Sequence, residues 1–208
     1  MRTILLTLCI LSVTFSANAQ MFGRKWIEGR VYDLSNKRFK GFIAWTPPEA
    51  TFANKVDDHL YFKDDKKKNE IEVRSSKIRS FVIGADSFVV SHNPQLATAP
   101  FVSVVIDKPI KLFVSYTTRS SPAGGVGMVP VGISFNRRKG IYYFGADADF
   151  ITKLDKDNFV DAMSRIMSDK PEIVSKIADK TYKYRDLQEL ISIYLTGQTV
   201  DQNANSIN

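Results

Sequence analysis

Two apolar runs separated by only three residues constrain the fold of this chain more than any other feature. They occupy residues 77–92, KIRSFVIGADSFVVSH, on either side of Gly84, Ala85 and Asp86. β-Branched and aromatic residues favour strands, and a short connection that contains glycine favours a hairpin turn. Because the runs are apolar on both faces, both faces of these strands must be covered. The sequence therefore predicts a hairpin at the centre of a sheet.

Further strand-like runs lie on both sides of this hairpin, giving about ten short strands in all. They are at residues 26–32, 39–45, 59–62, 70–74, 101–106, 110–116, 133–136 and 141–144. Asp, Ser and Asn within residues 33–36 predict one turn, and Arg, Arg, Lys and Gly at 137–140 predict another. Residues 120–129 form a glycine-rich loop without the spacing of a nucleotide-binding motif.

After residue 147 the apolar residues change to a helical period. Phe159 and Met163 are four positions apart, and Ile166 and Met167 continue the same face. A second short helix begins at Pro171 and a third ends before Gly197. Because such short helices must pack their apolar stripes on something, the predicted fold class is α+β: a mainly antiparallel β-sheet, as a sandwich or roll, with C-terminal helices packed on it. The third stripe is Leu187, Leu190, Ile191, Tyr194 and Leu195.

The N-terminus has the pattern of a secretory signal peptide. An apolar stretch too short to span a bilayer precedes Ala17-Asn18-Ala19, so we expect cleavage before Gln20. The expected segments are a signal peptide at 1–19, a β-rich domain at 20–147, a helical segment at 148–196 and a disordered tail at 197–208. The product is predicted to be exported and to be periplasmic, outer-membrane-associated or secreted, with no transmembrane segment after cleavage. The single cysteine, Cys9, lies in the signal peptide, which excludes disulfides and cysteine chemistry from the mature chain.

Charge is concentrated in the middle of the chain. Residues 76–146 carry 8 Lys and Arg against 2 acidic residues. A basic surface suggests an anionic glycan or an envelope component as partner, whereas nucleic acid is not expected. Alternatively, basic residues at strand edges only keep a β protein soluble. The predicted ligand-binding residues, expected at one end of the sheet beside the glycine-rich loop, are Lys108, Lys111, Arg119, Arg137, Arg138 and Lys139.

No motif for catalysis, metal or cofactor binding stands out. The two histidines lack zinc-ligand spacing, and Asp147-x-Asp149 does not continue as an EF-hand. Ser87 or Ser91 with His92 and Asp86 has no supporting nucleophile motif. We therefore expect no catalytic residue, no metal site and no cofactor. Aromatic residues that would form a sugar-stacking platform, or else belong to the core, are Trp26, Trp45, Tyr61, Tyr142 and Tyr143.

Four stretches carry a resemblance to known proteins. They are LYFK at 60–63, KIRSFVIGADSFVV at 77–90, IKLFVSY at 110–116 and SDKPEIVSKIADKTYKYRDLQELISIY at 168–194. In these the chain resembles small exported proteins of unknown function from Gram-negative bacteria. The resemblance implies export and strands followed by helices, and no activity. The expected function is an exported, non-enzymatic binding or envelope-associated interaction protein; the alternative is an extracytoplasmic hydrolase acting on glycan or peptide.

Overall fold

One open antiparallel sheet contains all ten strands of the computed structural model, which describes residues 24–48, 56–65, 69–120 and 136–197. The strands are β1 (Ile27–Asp33), β2 (Arg38–Ala44), β3 (His59–Lys63), β4 (Ile71–Arg74), β5 (Ile78–Ile83), β6 (Asp86–Val90), β7 (Phe101–Ile106), β8 (Lys111–Ser120), β9 (Asn136–Gly145) and β10 (Ile151–Lys153). The helices are α1 (Phe159–Ile166), α2 (Pro171–Ala178) and α3 (Leu187–Thr196). The predicted α+β class is confirmed.

The hairpin of β5 and β6 lies at the centre of the sheet, as its two apolar faces predict. The strand order is β10-β9-β8-β7-β6-β5-β1-β2-β3-β4. Ile83 pairs with Asp86, which leaves Gly84 and Ala85 as a two-residue turn. Gly84 has a φ of +58°, a conformation that glycine adopts without steric cost. A positive φ at the first turn residue is the pattern of a type II′ hairpin turn.

The sheet is strongly curled, as is shown by strands that are far apart in the strand order but close in space. Three strands separate β4 from β5, or about 19 Å at the usual strand spacing, yet residues 75–77 alone join them. The rings of Trp45, which follows β2, and Phe101 on β7 have centroids 6.1 Å apart. The backbone N–H of Thr118 on β8 donates to the carbonyl of Pro48 at 2.8 Å. The curl thus encloses the inner face of the sheet.

The inner face carries most of the core. In the curled part, four phenylalanines share this core with aliphatic side chains, and the Phe81 and Phe88 rings are stacked with centroids 4.8 Å apart. Further along the same face, the helices pack over β7 and β8, where Ile106 and Leu112 share a buried cluster with the α1 residues Phe159 and Met163. The buried residues of the curled part are Val31, Ile43, Leu60, Phe62, Ile78, Phe81, Phe88, Val90 and Phe101.

The helical stripes are confirmed with one exception. Leu190 and Met163 are fully buried, whereas Leu195, predicted to share the stripe, is 58 % exposed. Gly197 ends α3 with a φ of +71°, and its N–H donates to the carbonyl of Ile193. The third helix therefore buries its stripe through Tyr194 and exposes the last turn before the cap.

The predicted turn at 137–140 is wrong, because these residues lie inside the ten-residue strand β9. Gly140 is needed there for space and not for a turn: a Cβ atom would lie 2.9 Å from a methyl group of Val114. The short strand β10 was not predicted, and it lies in the segment 148–196 assigned to helices. The signal peptide at 1–19, the loop at 121–129, the run at 133–135 and the tail at 198–208 lie outside the described residues.

Candidate functional site

The outer face of the central strands, opposite the helices, is apolar but only partly covered. Phe113 on β8 pairs with Val104 on β7 and with Tyr143 on β9, so the three side chains form a row across the sheet. Phe113 is 1 % exposed and Tyr143 is 6 % exposed, whereas Val104 and Val89 keep intermediate exposure. Leu96 and Ile151 cover part of this face. The uncovered part forms a groove.

This groove has a volume of about 630 Å³ and an apolar floor with polar walls. Its floor is formed by Val89, Val104 and Phe113. The polar and exposed residues around the floor are Leu34, Arg79, Ser87, His92, Asp107, Lys111, Asp147 and Asp149. The groove thus combines a hydrophobic centre with several charged groups at its rim.

One wall is held in place by hydrogen bonds between two loops, which we call the clasp: residues 91–93 after β6 and residues 148–149 before β10. The Ser91 hydroxyl donates to the carbonyl of Ala148 at 2.5 Å, and the His92 backbone N–H donates to Asp149 Oδ1 at 2.7 Å. His92 Nδ1 lies 3.1 Å from the same carboxylate oxygen. The Asn93 amide donates to the Asp149 carbonyl at 3.2 Å. The clasp ties the β9–β10 loop across the outer face.

A β-bulge positions Arg79 at the groove. Tyr32 pairs with Ser80 and Asp33 pairs with Ile78, so Arg79 is an extra residue with no opposite partner on β1. Bulges bend a strand and redirect a side chain, and they are frequent beside functional sites. Arg79 is exposed and is one of the residues that line the groove. The bulge thereby gives the groove a cation that regular alternation would not have indicated.

The six predicted ligand-binding residues do not share one end of the sheet. Lys108 and Lys111 lie at the start of β8, whereas Arg119, Arg137, Arg138 and Lys139 lie at the far end of the β8–β9 hairpin. Thr117 pairs with Lys139 six residues beyond Lys111, or about 20 Å along the strand. The expected single basic end is therefore wrong, because β8 is one long strand. The ligand-binding role of the six residues stays a prediction.

The two lysines at the start of β8 have acidic partners within the chain. Lys111 forms an ion pair with Asp107 and lines the groove. Lys108 Nζ lies 3.0 Å from Asp169 Oδ2, and the Tyr194 hydroxyl donates to the other oxygen of Asp169 at 2.7 Å. The hydrogen bond from Tyr194, and to a smaller extent the one from Lys108, holds the pKa of Asp169 below its ordinary value. Burial and the Asp169 carboxylate raise the pKa of Tyr194 to about 12. This network, Lys108–Asp169–Tyr194, joins the β7–β8 turn to α3.

The five aromatic candidates do not form a sugar-stacking platform. Trp45 packs on three phenylalanines in the inner core, and Tyr142 and Tyr143 pack in two other clusters. Trp26 and Tyr61 are partly exposed, and cations lie against their rings: Lys63 Nζ is 4.1 Å from the centroid of the Trp26 ring, and the Arg24 guanidinium is 3.6 Å from that of the Tyr61 ring. The core interpretation holds for three of the five.

The serine and histidine candidates are not arranged for nucleophilic catalysis. Ser87 lies on β6, five residues before His92, which follows the strand; five residues of extended chain span about 16 Å. Ser91 is buried and its hydroxyl donates to a backbone carbonyl. The carboxylate beside His92 belongs to Asp149 and not to Asp86. His92 and Asp149 are 57 positions apart, so no local motif in the sequence indicated this pair.

Comparisons with known proteins found no match to this chain among protein-family models, curated proteins or solved structures. The resemblance to small exported proteins stays a prediction, although strands followed by helices fit its description. Within the described ranges, no helix is long and apolar enough to cross a membrane. The same residues place no three His, Asp, Glu or Cys side chains together as metal ligands.

Proposed function

We propose that this chain is an exported, non-enzymatic binding protein whose ligand occupies the outer-face groove. The observation that carries the proposal is the incomplete cover of Val89 and Val104 on the central strands, beside a wall fixed by the clasp. Small-molecule sites are usually concave, with an apolar lining and a few placed polar groups, and have volumes of about 300–1,000 Å³. The groove, at about 630 Å³, has these properties.

Export is supported by the sequence of the N-terminus. The apolar stretch and the small residues before Gln20 follow the order of a signal peptide. The absence of cysteine after Cys9 is compatible with any redox compartment. An envelope component is therefore the first ligand class to test, as expected from the composition.

Blocking the groove tests the proposal. Ser87 is exposed and lines the groove, so Ser87→Trp fills it without removing a core side chain. Thr152→Trp, at an exposed position on β10 outside the groove, is the matched control. We expect fragments from a library of small acids, amines and sugars to shift the amide NMR signals of Val89 and Val104 in the wild type and the control, and not in Ser87→Trp. Fragments that bind all three proteins equally would contradict the proposal.

The far end of the β8–β9 hairpin is the competing site. If the basic residues bind an anionic glycan there, replacing Arg137, Arg138 and Lys139 with Ala lowers affinity for acidic polysaccharides, and raising the salt concentration lowers it further, because exposed charges are screened over about 8 Å at physiological ionic strength. Such a result, with Ser87→Trp binding normally, would move the ligand site away from the groove.

The alternative function, an extracytoplasmic hydrolase, has one observation in its favour. The Asp149 carboxylate holds His92 through Nδ1, an orientation that leaves the other ring nitrogen available for proton transfer. A hydrolase would cleave chromogenic glycosides or peptides and lose this activity in His92→Gln. Turnover that depends on His92 would replace the binding function, whereas no turnover leaves it in place.

A further inference from the structure

The charges around the groove restrict the ligand that it accepts. Three carboxylates line it, from Asp107, Asp147 and Asp149, against two permanent cations, Arg79 and Lys111. A polyanion such as an acidic polysaccharide would meet net repulsion there, because like charges oppose each other strongly at short range. A ligand with one negative charge needs only one cation that is free to bind it.

Arg79 is that cation. Lys111 is paired with Asp107, and His92 is paired with Asp149. Within the part of the chain that the structure describes, Arg79 has no ion pair, although the bulge places it at the groove. A guanidinium binds a carboxylate through two parallel hydrogen bonds, which makes arginine the usual partner of a single carboxylate.

The floor of the groove cannot bind a peptide that adds to the sheet as a further strand. β5, β6, β7 and β8 are each paired on both sides, so their backbone groups are used within the sheet. A peptide that adds to a sheet needs an unpaired strand edge. This floor offers side chains only, which suits an acyl chain that has no hydrogen-bonding groups of its own.

We propose that the groove binds a fatty acid, with the carboxylate on Arg79 and the acyl chain on the partly exposed side chains of Val89 and Val104. This inference rests on the proposed binding function and names its ligand class. Octanoate and decanoate are the test ligands, and 1-octanol and octylammonium, which share the chain but not the carboxylate, are the comparison ligands. A capped peptide with an apolar C-terminal end and a free carboxylate tests the other source of this chemistry.

The binding measurement is an NMR titration with Arg79→Gln as the variant and Lys77→Gln, an exposed neighbour outside the groove, as the control. We expect Arg79→Gln to weaken octanoate about tenfold, as the loss of a charged hydrogen bond would, and to leave 1-octanol unchanged. Arg79→Lys should restore part of the affinity. Decanoate should bind about fourfold more tightly than octanoate if each added methylene is half buried.

Several results would overturn the inference. Octanoate binding equally to the wild type and Arg79→Gln would remove Arg79 from the site, and octylammonium or the peptide binding more tightly than octanoate would assign the groove to another ligand class. In these cases the binding function would still be supported if ligands shift the NMR signals of groove residues in the wild type and do not shift them in Ser87→Trp. If no probe shifts the groove signals, the fatty acid assignment is wrong, and the fragment screen alone then decides whether the groove is a site.

Discussion

Replacing Tyr194 with Phe tests how the helices are fastened to the sheet. The Tyr194 side chain is 6 % exposed and its hydroxyl donates to Asp169 at 2.7 Å. Loss of this hydrogen bond should lower the free energy of unfolding by about 1 kcal/mol at pH 7, which is the value for an ordinary hydrogen bond and less than for a buried charged partner, because Asp169 is partly solvated. For a chain of this size the melting temperature should fall by about 2–4 °C.

The free energy of unfolding should also depend on pH differently in the wild type and in Tyr194→Phe. The pKa of Tyr194 is raised from 10.0 to about 12, so the stability that its neutral form contributes is complete below pH 10 and is lost as the pH rises towards 12. At pH 11 the wild type should have lost about 1.4 kcal/mol through this residue, because one pKa unit corresponds to about 1.36 kcal/mol. Tyr194→Phe cannot lose this contribution. The order of stability of the two proteins should therefore reverse near pH 11.

Urea unfolding at pH 7 and pH 11, followed by circular dichroism, measures both effects. Tyr184→Phe is the control, since Tyr184 is 37 % exposed and contacts the Phe159 ring. On the acid side, the lowered pKa of Asp169 means that its contribution is present at neutral pH and is lost as the pH falls through that lowered value. The reasoning would be refuted if Tyr194→Phe matched the wild type at pH 7 and lost stability equally between pH 7 and pH 11.

Three further predictions concern the core, the β9–β10 loop and export. Leu190 is fully buried, so Leu190→Ala should lower the free energy of unfolding by about 2–5 kcal/mol, whereas Leu195→Ala, at a position 58 % exposed, should lower it by less than about 0.5 kcal/mol. Equal losses for the two variants in urea unfolding would argue against helix packing on the sheet. Gly145→Ala should destabilise by about 1–3 kcal/mol, because its Cβ would lie 2.1 Å from the Phe150 carbonyl oxygen; wild-type stability in urea would contradict this close approach. Mass spectrometry of protein from an expressing host should show loss of residues 1–19, and a product that retains them would contradict export by cleavage.

The sequence predicted the elements whose signal is local. The β5–β6 hairpin follows from two apolar runs around Gly84, and α1 follows from the spacing of Phe159 and Met163. Gly140 misled the prediction because glycine marks turns in sequence, whereas here it gives space to Val114 on the neighbouring strand. That reason depends on a strand pairing that local patterns do not contain.

The candidate site was not predicted because long-range contacts form it. His92 and Asp149 are 57 positions apart and meet only when the β9–β10 loop crosses the outer face. Arg79 belongs to a strand that reads as regular, and its bulge becomes apparent only from the register with β1. Lys111 was predicted from charge alone, and it lines the groove beside its partner Asp107. Composition can therefore indicate charged surfaces, whereas the groove depends on the sheet topology.

Crystals soaked with a library of small fragments would test the central claim, that the outer-face groove is the ligand site, most directly. We predict that bound fragments concentrate over Val89 and Val104, with acidic fragments directed towards Arg79. Fragments that gather at another surface, such as the far end of the β8–β9 hairpin, while the groove stays empty would contradict the claim.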